Sequence, residues 1–146
     1  MRTTAITFCA LTIAIAAFPS AAHEHASGVV KERMDAMTDM AKRQKAISQR
    51  LKNKRDLAGI KADAEAIAAH AGHIAHLFPS GSTQSPTRAR AVIWQSWADF
   101  ENKVKALEAA SRTLAGVSGD DAQTQRAAEA VARTCTACHE IYRARK

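Results

Sequence analysis

The chain has 146 residues, 47% of them hydrophobic but only 5% aromatic, and its 21 Lys and Arg outnumber 14 Asp and Glu for a formal net charge of +7. The basic residues are spread along the chain and not interleaved with aromatics, which argues against a nucleic-acid surface. The longest apolar run, Ala5 to Phe18, is shorter than the roughly 20 residues a membrane-spanning helix needs.

That first run follows a single basic residue, Arg2, and precedes the small residues Ser20-Ala21-Ala22. The pattern predicts a secretory signal peptide over residues 1–22 and a single exported domain over 23–146, expected in the periplasm. Cys9 lies inside the run, preceded by Phe8 and too early for a lipoprotein anchor, so it is expected to leave with the signal. Two cysteines, Cys135 and Cys138, then belong to the domain.

Four segments follow with apolar residues at helical spacing, and no alternating run is long enough for a strand. The first is predicted to start at Ser27 as N-cap, with Val30, Met37, Met40, Ile47 and Leu51 on one stripe. The second, from about Asp56, carries Leu57, Ile60, Ala64, Ile67, Ala71, Ile74 and Phe78 in steps of three and four. Pro79 to Pro86 is loop by composition. A third helix is expected from about Thr87, with Ile93, Trp97, Phe100, Val104, Leu107 and Leu114 on one side, ending at Gly116 to Gly119. Asp120 and Asp121 are expected to open the fourth, whose face holds Thr124, Ala128, Val131, Cys135, Cys138 and Tyr142. Four amphipathic helices with short connections predict an all-α, antiparallel four-helix bundle, an architecture whose core accepts cofactors.

Cys135-Thr136-Ala137-Cys138-His139 is a C-x-x-C-H sequence, the attachment signature of c-type haem. Two thiols three residues apart on a helix share a face and can add to the two vinyl groups of one porphyrin, while the next residue, His139, reaches the iron. Other readings fare worse. A disulfide would close a loop too small to constrain the unfolded chain. A thioredoxin-like pair should follow a strand and open a helix, whereas this pair lies near the end of the last helix. Zinc would need two further ligands at usual spacing. His70, His73 and His76 recur every third residue and spread around the second helix instead of converging, so a solvated face is expected there and no metal site. No paired carboxylates, nucleophile-base set or phosphate loop suggests an enzyme.

The run Cys135 to Arg143 resembles the C-terminus of the cytochrome c′ family, class II c-type cytochromes with the haem site near the chain end. Val30 to Met37, Leu77-Phe78-Pro79-Ser80-Gly81-Ser82 and Ile93-Trp94 are similar to that family as well, so the likeness spans the whole predicted domain. The resemblance implies one haem c with its iron, bound covalently by Cys135 and Cys138, with His139 as axial ligand. It also implies that Arg33 contacts a haem propionate. This agrees with the residue itself, a charge on an apolar stripe that needs an anionic partner. At the position of Met37 the family divides: high-spin members carry a non-ligating residue and leave the iron five-coordinate, whereas the low-spin cytochrome c-556 type has a methionine that ligates it. Met37 therefore implies His/Met coordination and electron transfer with other periplasmic redox proteins; a five-coordinate binder of nitric oxide or carbon monoxide is the alternative. Family members often pair through their first two helices, which leaves monomer and homodimer open.

Overall fold

A computed structural model describes residues 26–117 and 122–145. The predicted signal peptide and the proposed helix-opening Asp120 and Asp121 lie outside the described residues. The helices are α1 (Gly28–Asn53), α2 (Ala58–His73), a single-turn α3 (Val92–Gln95), α4 (Trp97–Gly116) and α5 (Ala122–Tyr142). α2 runs on into a 3₁₀ turn, Ile74–Leu77. The four long helices form an antiparallel bundle. No described helix is long and apolar enough to cross a membrane.

α1 opens after Ser27, which has extended backbone but makes no side-chain cap. It closes at Lys54, where φ of 50° lets the backbone N–H turn back to the carbonyls of Arg50 and Leu51. The short turn that follows returns α2 alongside α1. Their shared surface carries an ion-pair chain: Asp39 with Arg43 (2.6 Å), Arg43 with Asp63 (3.3 Å), and Arg50 with both Asp63 and Asp56. His70 does not simply face solvent; its Nε2 lies 2.9 Å from the Asp39 carboxylate across the helix pair.

The core follows the predicted stripes. Ile47, Ile60, Ala64, Ile67, Ala71, Ile93, Phe100, Leu114 and Val131 are essentially inaccessible, and Val30, Met40, Ile74, Phe78, Val104, Leu107 and Ala128 are buried with them. Burying each large aliphatic or aromatic side chain contributes about 1.5–3 kcal/mol. Phe100 is the centre of an aromatic cluster, with its ring 4.9 Å from Phe78, 5.4 Å from Trp97 and 5.3 Å from Tyr142. The Tyr142 hydroxyl donates to Asp99 Oδ2 at 2.6 Å and the Trp94 indole to the Phe78 carbonyl at 3.0 Å, so both polar tips are satisfied.

The third segment departs from expectation. Thr87 to Ala91 are not helical, and the helix that follows is interrupted at Ser96 (φ −125°, ψ 44°), separating α3 from α4. Arg88 and Arg90 are held instead by the end of α5. Ala144 N–H donates to the Arg88 carbonyl (2.8 Å), Arg90 N–H to the Tyr142 carbonyl (3.0 Å), and Ala89 pairs with Arg143 in an isolated bridge. Backbone groups committed to that pairing cannot also close helical turns.

Candidate functional site

The C-x-x-C-H motif occupies the last turns of α5. Cys135 and Cys138 are both half-buried free thiols, and both pack against the central core. Burial pushes both thiols upward, Cys138 to about 11, with nearby Lys103 only partly offsetting the effect there. Thiols so placed are protonated near neutrality, the opposite of the lowered pKa that a disulfide-exchange pair requires. His139 is half-buried beside them. Burial, and then the positive charges of Arg143 and Arg88, hold its imidazole below the usual histidine range, so the neutral, ligand-competent form dominates at neutral pH.

On α1, Arg33 is 3% exposed. Its Nη2 donates to the Ser82 carbonyl at 2.9 Å and to Thr87 Oγ1 at 3.3 Å; Nη1 reaches Ser82 Oγ at 3.4 Å, and the guanidinium carbon sits 4.4 Å over the Phe78 ring. Burial lowers its pKa, yet a guanidinium so far above neutrality stays charged. Met37, one turn further along α1, is partly buried against the same core that Cys135 and Cys138 touch, whereas Met40 lies wholly inside it.

The loop after α2 joins these two helices. Ser82 and Thr87 accept from Arg33 of α1, and the adjoining Arg88 and Arg90 bind the end of α5: the Arg90 guanidinium donates to the Ile141 carbonyl at 2.6 Å, and that of Arg88 to the Ala144 carbonyl. Arg33, Arg88 and Arg143 are thereby gathered at one end of the bundle, and among the described residues no carboxylate pairs with any of the three. Arg88 Nε is buried without an acceptor. Ser82, Thr87 and Arg88 escape a reading by helical periodicity because they lie in loop. The Thr-Arg-Ala-Arg run before Ile93-Trp94 has no periodicity or motif that points to a partner.

The donor set fits haem c. A thiol pair three residues apart on one helix face suits two vinyl groups, an adjacent neutral imidazole suits iron, and arginines that pair with no described carboxylate suit the propionates.

Comparison with known proteins agrees. The family described as Cytochrome C′ matches residues 28–143. A cytochrome c′ of Pararhodospirillum photometricum is 35% identical over 118 residues, covering 78% of this chain and 94% of the relative. A cytochrome c-556 of Agrobacterium tumefaciens (strain B2A) is 32% identical over 124 residues, covering 84% and 97%. Among solved structures, a nitric oxide complex of a variant cytochrome c prime from Alcaligenes xylosoxidans superposes with a TM-score of 0.71 at 29% identity, covering 80% of this chain and 94% of that one.

Proposed function

Because the chain belongs to the cytochrome c′ family and carries that family's covalently attached c-type haem, we propose that it is a periplasmic electron carrier with His/Met-coordinated iron. Cys135 and Cys138 hold the haem through thioether bonds, His139 and Met37 are the axial ligands, and Arg33 binds a propionate. When bound, the haem supplies a one-electron iron couple. Residues 1–22 direct export, and no catalytic set is invoked.

The observation that carries this reading is Met37 itself. It lies on the buried side of α1, one turn beyond an arginine whose guanidinium is fixed by Ser82 and Thr87, and it packs against the core shared with both cysteines. A soft thioether at the sixth position favours the ferrous state and raises the potential. Met37 bound in both oxidation states keeps coordination unchanged during electron transfer and leaves external ligands to compete with its sulfur. A cytochrome c-556 among the relatives supports this assignment. The gas-binding alternative draws on the similarity to the Alcaligenes xylosoxidans nitric oxide complex.

Absorption spectra of the purified holoprotein decide between them. The wild type is expected to be low-spin when oxidised and when reduced. Met37→Leu is expected to retain the haem, seen as a covalent adduct in the denatured intact mass, but to become high-spin and bind carbon monoxide readily. A high-spin wild type, or a low-spin leucine variant, overturns His/Met coordination.

A further inference from the structure

The acidic residues of this chain are unevenly laid out. Between Glu65 and Asp99 the sequence has no Asp or Glu, and beyond Glu129 it has only Glu140. Every ion pair among the described residues lies on α1, α2, α4 or on α5 ahead of the C-x-x-C-H motif. The fold then sets the two carboxylate-poor stretches against each other. Arg90 N–H donates to the Tyr142 carbonyl and the Arg90 guanidinium to the Ile141 carbonyl at 2.6 Å, which fixes the segment around Arg90 to the last turn of α5.

Arg90, Arg143 and Arg145 are exposed at this end, and none of them has a carboxylate partner among the described residues. Beside them is Ile141, 39% exposed, the one large hydrophobic side chain among the described residues that the fold leaves in water. Glu140 is exposed too and pairs with none of the three arginines. An apolar side chain among exposed guanidinium groups has the composition of a protein–protein contact, in which arginine and apolar anchors carry most of the energy. Guanidinium forks recognise carboxylates. A single exposed apolar side chain is too little surface to hold a protein on a bilayer, so the composition favours a protein partner over a lipid one.

Resting on the electron-carrier reading above, we propose that the end of α5, together with the segment around Arg90, is the docking surface for an acidic redox protein. Carboxylates of the partner engage Arg90, Arg143 and Arg145 around an apolar contact at Ile141. That contact lies two residues beyond His139, so the unbalanced positive charge steers the partner to the end of the chain nearest the axial ligand. One electron passes in each productive encounter: the donor loses it, ferric iron becomes ferrous, and no bond or proton changes hands.

The test is stopped-flow reduction of the ferric holoprotein by a reduced plant-type [2Fe–2S] ferredoxin, an acidic protein of low potential. The second-order rate constant is expected to fall steeply as salt rises. At an ionic strength near 0.1 M, where the Debye length is about 10 Å, Arg90→Gln, Arg143→Gln and Arg145→Gln are each expected to lower it roughly two- to threefold. Arg90→Lys, Arg143→Lys and Arg145→Lys should recover most of the loss, and Glu140→Gln should raise the rate. Ile141→Ser is expected to lower it at every salt concentration, because an apolar contact is not screened. Arg126 is the control: it is exposed, unpaired among the described residues and roughly 25 Å from Arg143 along α5, so Arg126→Gln should leave the rate nearly unchanged. Midpoint potentials are measured for every variant and rates compared at equal driving force. Rates indifferent to salt and to the three glutamine variants overturn the docking surface, as do equal losses in Arg126→Gln. Variants that keep their ferredoxin rate but lose binding to phosphatidylglycerol vesicles assign the surface to lipid, and an Ile141→Ser change that keeps the rate but splits a dimer in sedimentation equilibrium assigns it to a second copy; both overturn the proposal. A bare-polypeptide mass, or high-spin iron in the wild type, brings down the haem or the His/Met reading instead, and either is visible before any ferredoxin is added.

Discussion

Arg33→Leu separates the fastening of the loop from the anchoring of the haem. Leucine fills much of the same space but leaves the Ser82 carbonyl without the donor it now receives at 2.9 Å, in a setting where Ser82 is itself 5% exposed. An orphaned buried acceptor costs about 1–3 kcal/mol. The contacts to Thr87 Oγ1 and Ser82 Oγ, at 3.3 and 3.4 Å, lie at the weak end of hydrogen bonding and add little. Loss of the guanidinium from the Phe78 face adds on the order of 0.5–2 kcal/mol. Leucine also relieves the desolvation of a buried charge, which offsets part of the total. The net expectation is a destabilisation of about 2 kcal/mol, read from urea denaturation of the holoprotein, together with a fall in midpoint potential as one propionate loses its cation. A loss under about 0.5 kcal/mol, the size of an ordinary surface change, would refute the reasoning about the loop. An unchanged potential alongside lost stability would refute the propionate contact alone.

Two further substitutions probe the frame. Phe100→Ala removes the ring that Phe78, Trp97 and Tyr142 all touch and should cost about 3–5 kcal/mol in urea denaturation; a loss below about 1.5 kcal/mol would mean the cluster closes over the gap. Asp39 is held below the usual carboxylate range first by its hydrogen bond from Arg43, against a smaller opposing effect of burial. Its folded pKa is depressed, so its contribution is present above the unfolded value of about 3.9 and is lost as pH falls through the folded one. Asp39→Asn should therefore be less stable than wild type at pH 7, by at most about 1 kcal/mol for so exposed a pair, and should match it in acid; equal stability at both pH values refutes the claim.

The buried faces were legible because periodicity is a local property. Ile60, Ala64, Ile67, Ala71, Ile74 and Phe78 announce one side of one helix without reference to anything else, and all six are buried. The start of the third segment was not legible at Thr87, because what keeps Thr87 to Ala91 out of the helix is pairing with residues 142–144, more than fifty positions away. The interruption at Ser96 was equally silent, since Ile93, Trp97 and Phe100 keep helical spacing straight across it. Arg33 was visible as a charge out of place on an apolar stripe, whereas its acceptors Ser82 and Thr87 were not, being 49 and 54 residues distant. Arg88 carried no local mark, and its significance lies wholly in tertiary surroundings.

The interruption at Ser96 also gives the protein an internal light meter. Both tryptophans of the chain, Trp94 and Trp97, flank that break and pack against the core that Cys135 and Cys138 touch. A haem c held in this small bundle would absorb where indole emits, so the folded holoprotein is expected to fluoresce weakly. Emission is then expected to brighten as the third segment draws away from α5, which makes separation of those two elements observable without any added label.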